Sequence, residues 1–516
     1  MYQVKILWAD DEIDLLKPHV MFLEAKGYKI TTVVSGNEAL DLVKEENFDI
    51  VFLDENMPGL SGLDTLVGIK KIRKSVPVVM ITKSEEEYIM EEAIGGEISD
   101  YLIKPVNPNQ ILLSIKKNLD EKRLVNEHST HAYQREFREI SMRLSDRLDY
   151  DEWVQLYKDL VYWELKLGNG ADSDMMEILN AQKTEANQQF SKFIENNYID
   201  WMQPGDDKPL LSHQVFEKVI LPNIGGKPVF VFVVDCLRYD QWKVMQQEIS
   251  SYFLTEKDDC YYSILPTTTQ YARNALFSGL LPDDIQKKFP NKWIDEDDDE
   301  SKNNFEEFFQ DELLKRKGFK IKTKYEKITN LSKAKKVADN FHQYFQNDLT
   351  TIVYNFVDAL SHARTDTKII RELAEDEKAY RSLTKSWFLH SPFLEMLKQI
   401  AEKDAVVYIT TDHGSVKVDQ PSQMVADKSV NNNLRYKVGR NMHYKESDVF
   451  EIRDLAEAKL PKSNFNSKFI FAKENKFFAY KNNYNHYARY YNDTFQHGGI
   501  SMEEVIIPII KLKRKE

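Results

Sequence analysis

Five short apolar runs separated by helical patterning constrain the first 120 residues more than any other feature of the chain. The runs are VKILWAD, KITTVV, FDIVFLD, VPVVMIT and DYLIKP; LLKPHVMFLEAKGY and GNEALDLVKEE between them carry apolar residues at helical spacing. Parallel strands need a crossover, usually a helix, so this alternation predicts a doubly wound parallel sheet of five strands. In such a sheet the working residues lie at the carboxyl ends of the strands. Those ends carry Asp10 and Asp11 after the first run, Asp54 after the third, Thr82 after the fourth and Lys104 after the fifth. Three carboxylates in one crevice repel one another unless a hard cation sits among them, and Mg²⁺ suits an all-oxygen set. Asp54 is then placed to take a phosphoryl group as an acyl phosphate, with Lys104 and Thr82 near its oxygens.

These positions, in WADDE, FLDENMPG, MITKS and YLIKP, resemble the receiver domain of two-component response regulators over residues 1–120. The resemblance implies phosphorylation of Asp54 and Mg²⁺ held by Asp10, Asp11, Asp54 and the Asn56 carbonyl. It also implies a switch built on Thr82 and Tyr101 with Lys104. Lys83 departs from the small residue commoner in the family at that position.

From 121 to 205 the composition shifts to charged and amide residues with spaced Leu, Trp and Tyr, as in YDEWVQLYKDLVYWELKLG. The spacing predicts a helical bundle with its aromatic stripe buried, acting as spacer and coupling element. Residues 168–170 end one helix and Asp172 or Ser173 caps the next. Pro204, Gly205 and Pro209 mark the following boundary.

The remainder, 206–516, reads as a second α/β domain. KPVFVFVVDCLRYDQW is a buried strand ending at Asp235, TTIVYNFVDALSHAR delivers Asp358 and His362, and DAVVYITTDHGS ends in Asp412 and His413. His497 stands before two glycines in FQHGGISMEEVIIPII. Carboxylates and imidazoles together suit Zn²⁺. In SILPTTTQYARNALFSGLLP a helix opens near Thr269, with Arg273 one turn along. A hydroxyl and a guanidinium so placed fit one phosphoryl group, as nucleophile and clamp. Residues 294–300 are a solvated acidic run, and the polar insert from Ser415 to Arg440 reads as a flexible surface loop in preference to the lining of a polyanion channel. His390, His443 and His486 lie outside any strand-end context. Residues 366–401 read as two helices, the second opening at Ser391-Pro392.

This constellation resembles the alkaline phosphatase superfamily, and within it PglZ domains, over roughly residues 225–516. The resemblance implies two Zn²⁺, one on Asp235, Thr269, Asp412 and His413, the other on Asp358, His362 and His497. Thr269 is then the nucleophile, with Thr267 and Thr268 as turn hydroxyls, and Arg273, more weakly Arg238, holds the substrate.

The two cysteines give no disulfide framework, no apolar run spans a bilayer, and MYQVKILWADDE lacks the pattern of a signal peptide, so a cytoplasmic protein without membrane insertion is expected. A net charge of −13 disfavours broad DNA binding. Receiver, helical spacer and PglZ-like domain in this order resemble the response regulators that control type IX secretion in Bacteroidetes. That resemblance implies a sensor histidine kinase, a homodimer formed on phosphorylation, and hydrolysis of phosphodiesters in cyclic or linear oligonucleotides. It also implies links to an extracytoplasmic-function sigma factor and a component of the secretion motor. Two other classes stay open: a non-catalytic metal-binding scaffold and a transcription regulator.

Overall fold

A computed structural model describes residues 3–73, 76–82, 98–168, 173–293, 304–374, 376–427, 430–462 and 467–515. Lys83, Asp172 and the acidic run 294–300 lie outside the described residues. The chain forms two compact units, Met1–Arg135 and Glu136–Glu516.

In the first unit, β1 (Lys5–Ala9), β2 (Lys29–Val33), β3 (Ile50–Asp54), β4 (Val78–Thr82) and β5 (Asp100–Ile103) form one sheet in the order β2-β1-β3-β4-β5, all parallel. Its helices are α1 (Lys17–Ala25), α2 (Gly36–Glu45), α3 (Gly62–Ile72) and the start of α4 (Pro108–Ser145). Alternate residues of β1 serve the two layers. Leu7 and Ala9 pack with Val43 of α2 and Leu66 and Ile69 of α3; Ile6 and Trp8 pack with Leu23 of α1 and Ile111 and Ile115 of α4. This is the expected doubly wound five-stranded parallel fold. The strand order reverses at β1, so the carboxyl ends of β1 and β3 flank an open crevice. Helix α4 runs through residue 120 without a break, so the expected start of a spacer at 121 falls inside a helix.

In the second unit, α5 (Tyr150–Leu167) opens on an Asp149–Glu152 capping box, and α6 (Ser173–Trp201) follows. Trp153, Tyr157, Phe190 and Tyr198 are buried, as the aromatic spacing predicts. These helices are tied to the C-terminal sheet. Lys158 Nζ donates to the Asp258 carbonyl at 2.7 Å, Tyr262 Oη to the Tyr150 carbonyl at 2.8 Å, and the Leu265 amide to Tyr198 Oη at 2.7 Å.

The C-terminal strands are β6 (Val229–Val234), β7 (Phe253–Tyr262), β8 (Thr323–Ile328), β9 (Leu349–Tyr354), β10 (Val406–Thr410), β11 (Val416–Val418), β12 (Gln420–Ala426), β13 (Tyr436–Gly439), β14 (Met442–His443), β15 (Val449–Ile452), β16 (Lys468–Ala472), β17 (Lys476–Tyr480), β18 (Thr494–Gln496) and β19 (Ile506–Arg514). The main sheet runs β7-β19-β10-β6-β9-β8; its last four strands are parallel, while β19 is antiparallel to β7 and β10. All six β6 residues are buried, as in a strand covered on both faces.

Two expectations are corrected here. The polar insert after Ser415 is built of strands, not a flexible loop. Its basic residues Arg435 and Lys437 are buried, Arg435 against Glu504 at 2.6 Å, so they do not line a polyanion channel. Residues 366–401 hold three helices after the one ending at Asp366, namely Lys368–Leu373, Glu377–Leu389 and Pro392–Ala401. Asp376 caps a new helix where the apolar spacing reads as continuous.

Candidate active site and metal centres

In the first unit, Asp10, Asp11 and Asp54 each offer a carboxylate oxygen, and these atoms lie within 4.8 Å of one another. Lys104 Nζ reaches in from the end of β5, 3.0 Å from Asp10 Oδ2 and 2.7 Å from Asp54 Oδ1. Burial, together with the Asp10 and Asp11 charges, outweighs Lys104 and raises the Asp54 carboxyl above its usual range. That surplus of negative charge on oxygen donors fits a hard cation. Gly62 is required beside it, since a Cβ there would lie 2.3 Å from the Asp54 carbonyl. Thr82 Oγ1 donates to Glu55, and the Tyr101 ring is half exposed at the sheet edge. Asn56 is exposed directly beyond β3.

In the second unit, neighbouring strands β10, β6 and β9 present their carboxyl ends together. Asp235 follows β6, and Asp412 and His413 follow β10. Asp358 sits one step further than a strand end, in the first turn of the helix Phe356–Asp366, with His362 a turn later. The segment after β18 brings His497. Two groups result, each with ligand atoms within 4.8 Å: Asp235, Asp412 and His413; and Asp358, His362 and His497. This is the division read from the sequence. The groups adjoin, because the His413 and His497 rings stack with centroids 4.3 Å apart.

The imidazoles are oriented for ligation. His413 Nδ1 faces the Gly414 carbonyl at 3.1 Å and His497 Nδ1 the Thr267 carbonyl at 3.2 Å. With Nδ1–H donated to a carbonyl, each Nε2 carries the lone pair. His413 Nε2 then faces Thr269 Oγ1 at 3.2 Å, and His497 Nε2 faces Asp358 at 3.5 Å. Burial, then His413, holds the His497 imidazole at about 3, neutral and available as a ligand. Burial, with the Asp412 and Asp358 charges, pushes the Asp235 carboxyl up to about 7 despite Arg273. Burial also works against Asp412, but Arg273 and His413 hold it below the usual carboxylate range. Mixed carboxylate and imidazole donors fit Zn²⁺.

Thr269 opens a π-helical turn, Thr269–Arg273, and its Oγ1 lies 3.4 Å from Asp235 Oδ1. Of the three threonines it alone is not buried. Thr267 Oγ1 is spent on the Gly499 carbonyl and the Gly498 amide, both at 3.0 Å, so it is a turn hydroxyl as expected. Arg273 differs from expectation. It is fully buried, 2.5 Å from Asp235, 2.9 Å from Asp412 and 3.3 Å from Glu306, and is a counter-ion to the ligand carboxylates rather than an open clamp. Arg238 is buried and pairs with Asp240 and Glu377. A further acidic group, Glu164, Asp240 and Glu377, is neutralised by Arg238, Arg381 and Lys183. His390, His443 and His486 are exposed and join neither group.

Glu306 was not legible as a site residue. It is buried against Arg273, Tyr325 and Lys327, yet in sequence it sits among surface-like charges.

Residues 213–512, more than half of the chain, match the family model described as the BREX system PglZ alkaline phosphatase-like domain. The chain belongs to the PglZ alkaline phosphatase-like family. Residues 6–116 match the response regulator receiver domain and 123–202 the PorX response regulator linker domain, so the PglZ region is carried in a PorX-type regulator. Curated relatives include the transcriptional regulatory protein ResD of Bacillus subtilis, 32% identical over 114 residues, 22% of this chain and 47% of that protein. Another is the response regulator SaeR of Staphylococcus aureus, 31% identical over 137 residues, 27% and 59%. The chain spans about half the length of these relatives. Similar solved structures include a CheY-like receiver domain protein from Methanospirillum hungatei, at 28% identity, 23% of this chain, 96% of that chain and TM-score 0.23. A receiver domain protein from Clostridium thermocellum has 32% identity, 23% and 98% coverage and the same TM-score, 0.23. Among the described residues no helix is long and apolar enough to cross a membrane.

Proposed function

We propose that this protein is a phosphorylation-controlled response regulator of the cytoplasm whose C-terminal domain is a zinc-dependent phosphodiesterase. The observation that carries the reading is Thr269, a partly exposed residue whose hydroxyl lies 3.2 Å from His413 and 3.4 Å from Asp235, beside two further Asp and two further His. Asp235, Asp412 and His413, with Thr269, would hold one Zn²⁺, and Asp358, His362 and His497 the other. Such a pair would supply Lewis-acid stabilisation of the oxygens of an in-line displacement. Thr269 Oγ gives up its proton and forms a bond to phosphorus as the ester P–O bond breaks, and the leaving oxygen takes up a proton in exchange. Water then hydrolyses the phosphothreonine and restores the hydroxyl. Arg273 balances the charge of Asp235 and Asp412 behind that centre. In the receiver, Asp54 accepts the phosphoryl group from a sensor histidine kinase, with Mg²⁺ on Asp10, Asp11, Asp54 and the Asn56 carbonyl. Thr82, Tyr101 and Lys104 respond, and the protein dimerises.

The substrate class, cyclic or linear oligonucleotides, and the control of type IX secretion through a sigma factor or a motor component rest on the likeness to PorX-type regulators. The test is hydrolysis of an aryl phosphodiester and a panel of linear and cyclic oligonucleotides with zinc supplied. Wild type is expected to turn over, and Thr269→Ala to lose activity by about 10⁴-fold or more with its zinc retained. A wild type that is phosphorylated, dimeric and inert supports the metal-binding scaffold instead.

A further inference from the structure

Helix α6 carries Lys183, Asn187 and Ser191 at four-residue spacing, on one face. All three meet the segment between β18 and β19 that follows His497. Asn187 Nδ2 donates to Glu503 Oε2 at 3.0 Å, and Asn187 Oδ1 accepts the Met502 amide at 2.8 Å. Ser191 Oγ donates to the Ile500 carbonyl at 3.3 Å, and Lys183 Nζ lies 3.8 Å from Glu503. Asn187 is 7% exposed, so both halves of its amide are satisfied by this one segment away from water.

The segment also holds the backbone beside two of the site's three imidazoles, His413 and His497. His497 lies three residues before Ile500, and the Gly499 amide is held by Glu504 Oε1 at 2.9 Å. On the other side the Gly414 amide, next to His413, donates to the Glu504 carbonyl at 3.2 Å. Gly414 lies so close that an added Cβ would stand 1.9 Å from the Glu503 carbonyl oxygen. A shift of 500–504 therefore moves the backbone beside His413 and His497 together.

We propose that Asn187 is a positioning residue for the metal centre, and that α6 regulates it through this contact by setting where 500–504 lies. The inference rests on the metal reading above. It gives the middle helices a direct grip on the site, not merely a spacer's role.

Replacing Asn187 by Asp keeps the acceptor for Met502 but sets a second carboxylate against Glu503. The double variant Asn187→Asp/Glu503→Gln reverses donor and acceptor and leaves the charge count unchanged, with Lys183 one turn away to pair the new carboxylate. Zinc affinity, read by competition with a chromophoric chelator, is expected to fall about tenfold in Asn187→Asp, the scale of lost outer-sphere partners. The double variant is expected to return to near the wild-type value. An Asn187→Asp protein that binds zinc as tightly as wild type overturns the inference, as does a double variant no better than the single one. A wild type that binds no zinc overturns the metal reading and this inference together, so the two failures are distinguishable.

Discussion

The two candidate metal centres solve the same electrostatic problem at different depths. In the receiver, Asp10 and Asp54 share Lys104, a point charge on a flexible stem reaching over the end of the sheet, and Asp11 beside them is exposed. In the PglZ domain, Asp235 and Asp412 share Arg273, whose planar guanidinium is gripped by a third acid, Glu306, in the interior. A lysine at a crevice mouth can withdraw when a cation or a phosphoryl group arrives. A buried arginine held by three carboxylates cannot leave without another charge taking its place. The donors differ as well: oxygen alone in the receiver, oxygen with imidazole in the PglZ domain, where Asp235, Asp412 and His413 are buried and His362 is exposed.

The largest expected effect breaks the buried side of that comparison. Arg273→Ala leaves Asp235, Asp412 and Glu306 without their shared cation, and denaturant unfolding of the zinc-free protein should show a loss of about 3–5 kcal/mol. Added zinc should recover part of it. Lys104→Ala is the matched change in the receiver, where the lysine itself is partly exposed, only two acids share it and Asp11 beside them is open to water; the loss should be about 1–2 kcal/mol and be offset by magnesium. Equal losses at the two sites would end the distinction.

What was legible in the sequence follows the same line. Asp10, Asp54, Asp235 and Asp412 stand at the ends of apolar strands, and a carboxylate directly after a buried run announces itself. The two groups that cluster in the structure are those the family motifs imply, because each lies on a recognisable motif. Glu306, Arg435 and Asn187 did not announce themselves. Each sits in a polar stretch that reads as solvated, and each is buried by a partner far away in sequence, Arg435 by Glu504 and Asn187 by Glu503. The break at Leu373 was missed because a new cap at Asp376 interrupts helical spacing without disturbing it.

A smaller effect sharpens the contrast through pH. Asp235 holds its proton up to about 7 in the metal-free site and must give it up to ligate. Binding therefore releases a proton below that value, and zinc affinity should weaken as pH falls from 7, by up to about tenfold per unit. His497, neutral down to about 3, adds nothing to that slope near neutrality. Titrating zinc at pH 8, 7 and 6 checks the sign; a flat profile would mean that Asp235 is not a ligand.

The smallest expected effect is none. Asp54→Ala should abolish phosphate incorporation from a small phosphodonor and the dimerisation that depends on it, and leave zinc content unchanged. Asp54 and the proposed zinc ligands belong to different compact units, so removing the receiver carboxylate takes no donor from either group. Metal analysis of the purified variant beside wild type decides it. Equal zinc with lost phosphorylation keeps the two centres chemically separate and leaves communication between them to conformation. Lost zinc would mean that the ligand geometry in the PglZ domain depends on the receiver's own charge, and the comparison of two self-contained centres would fail.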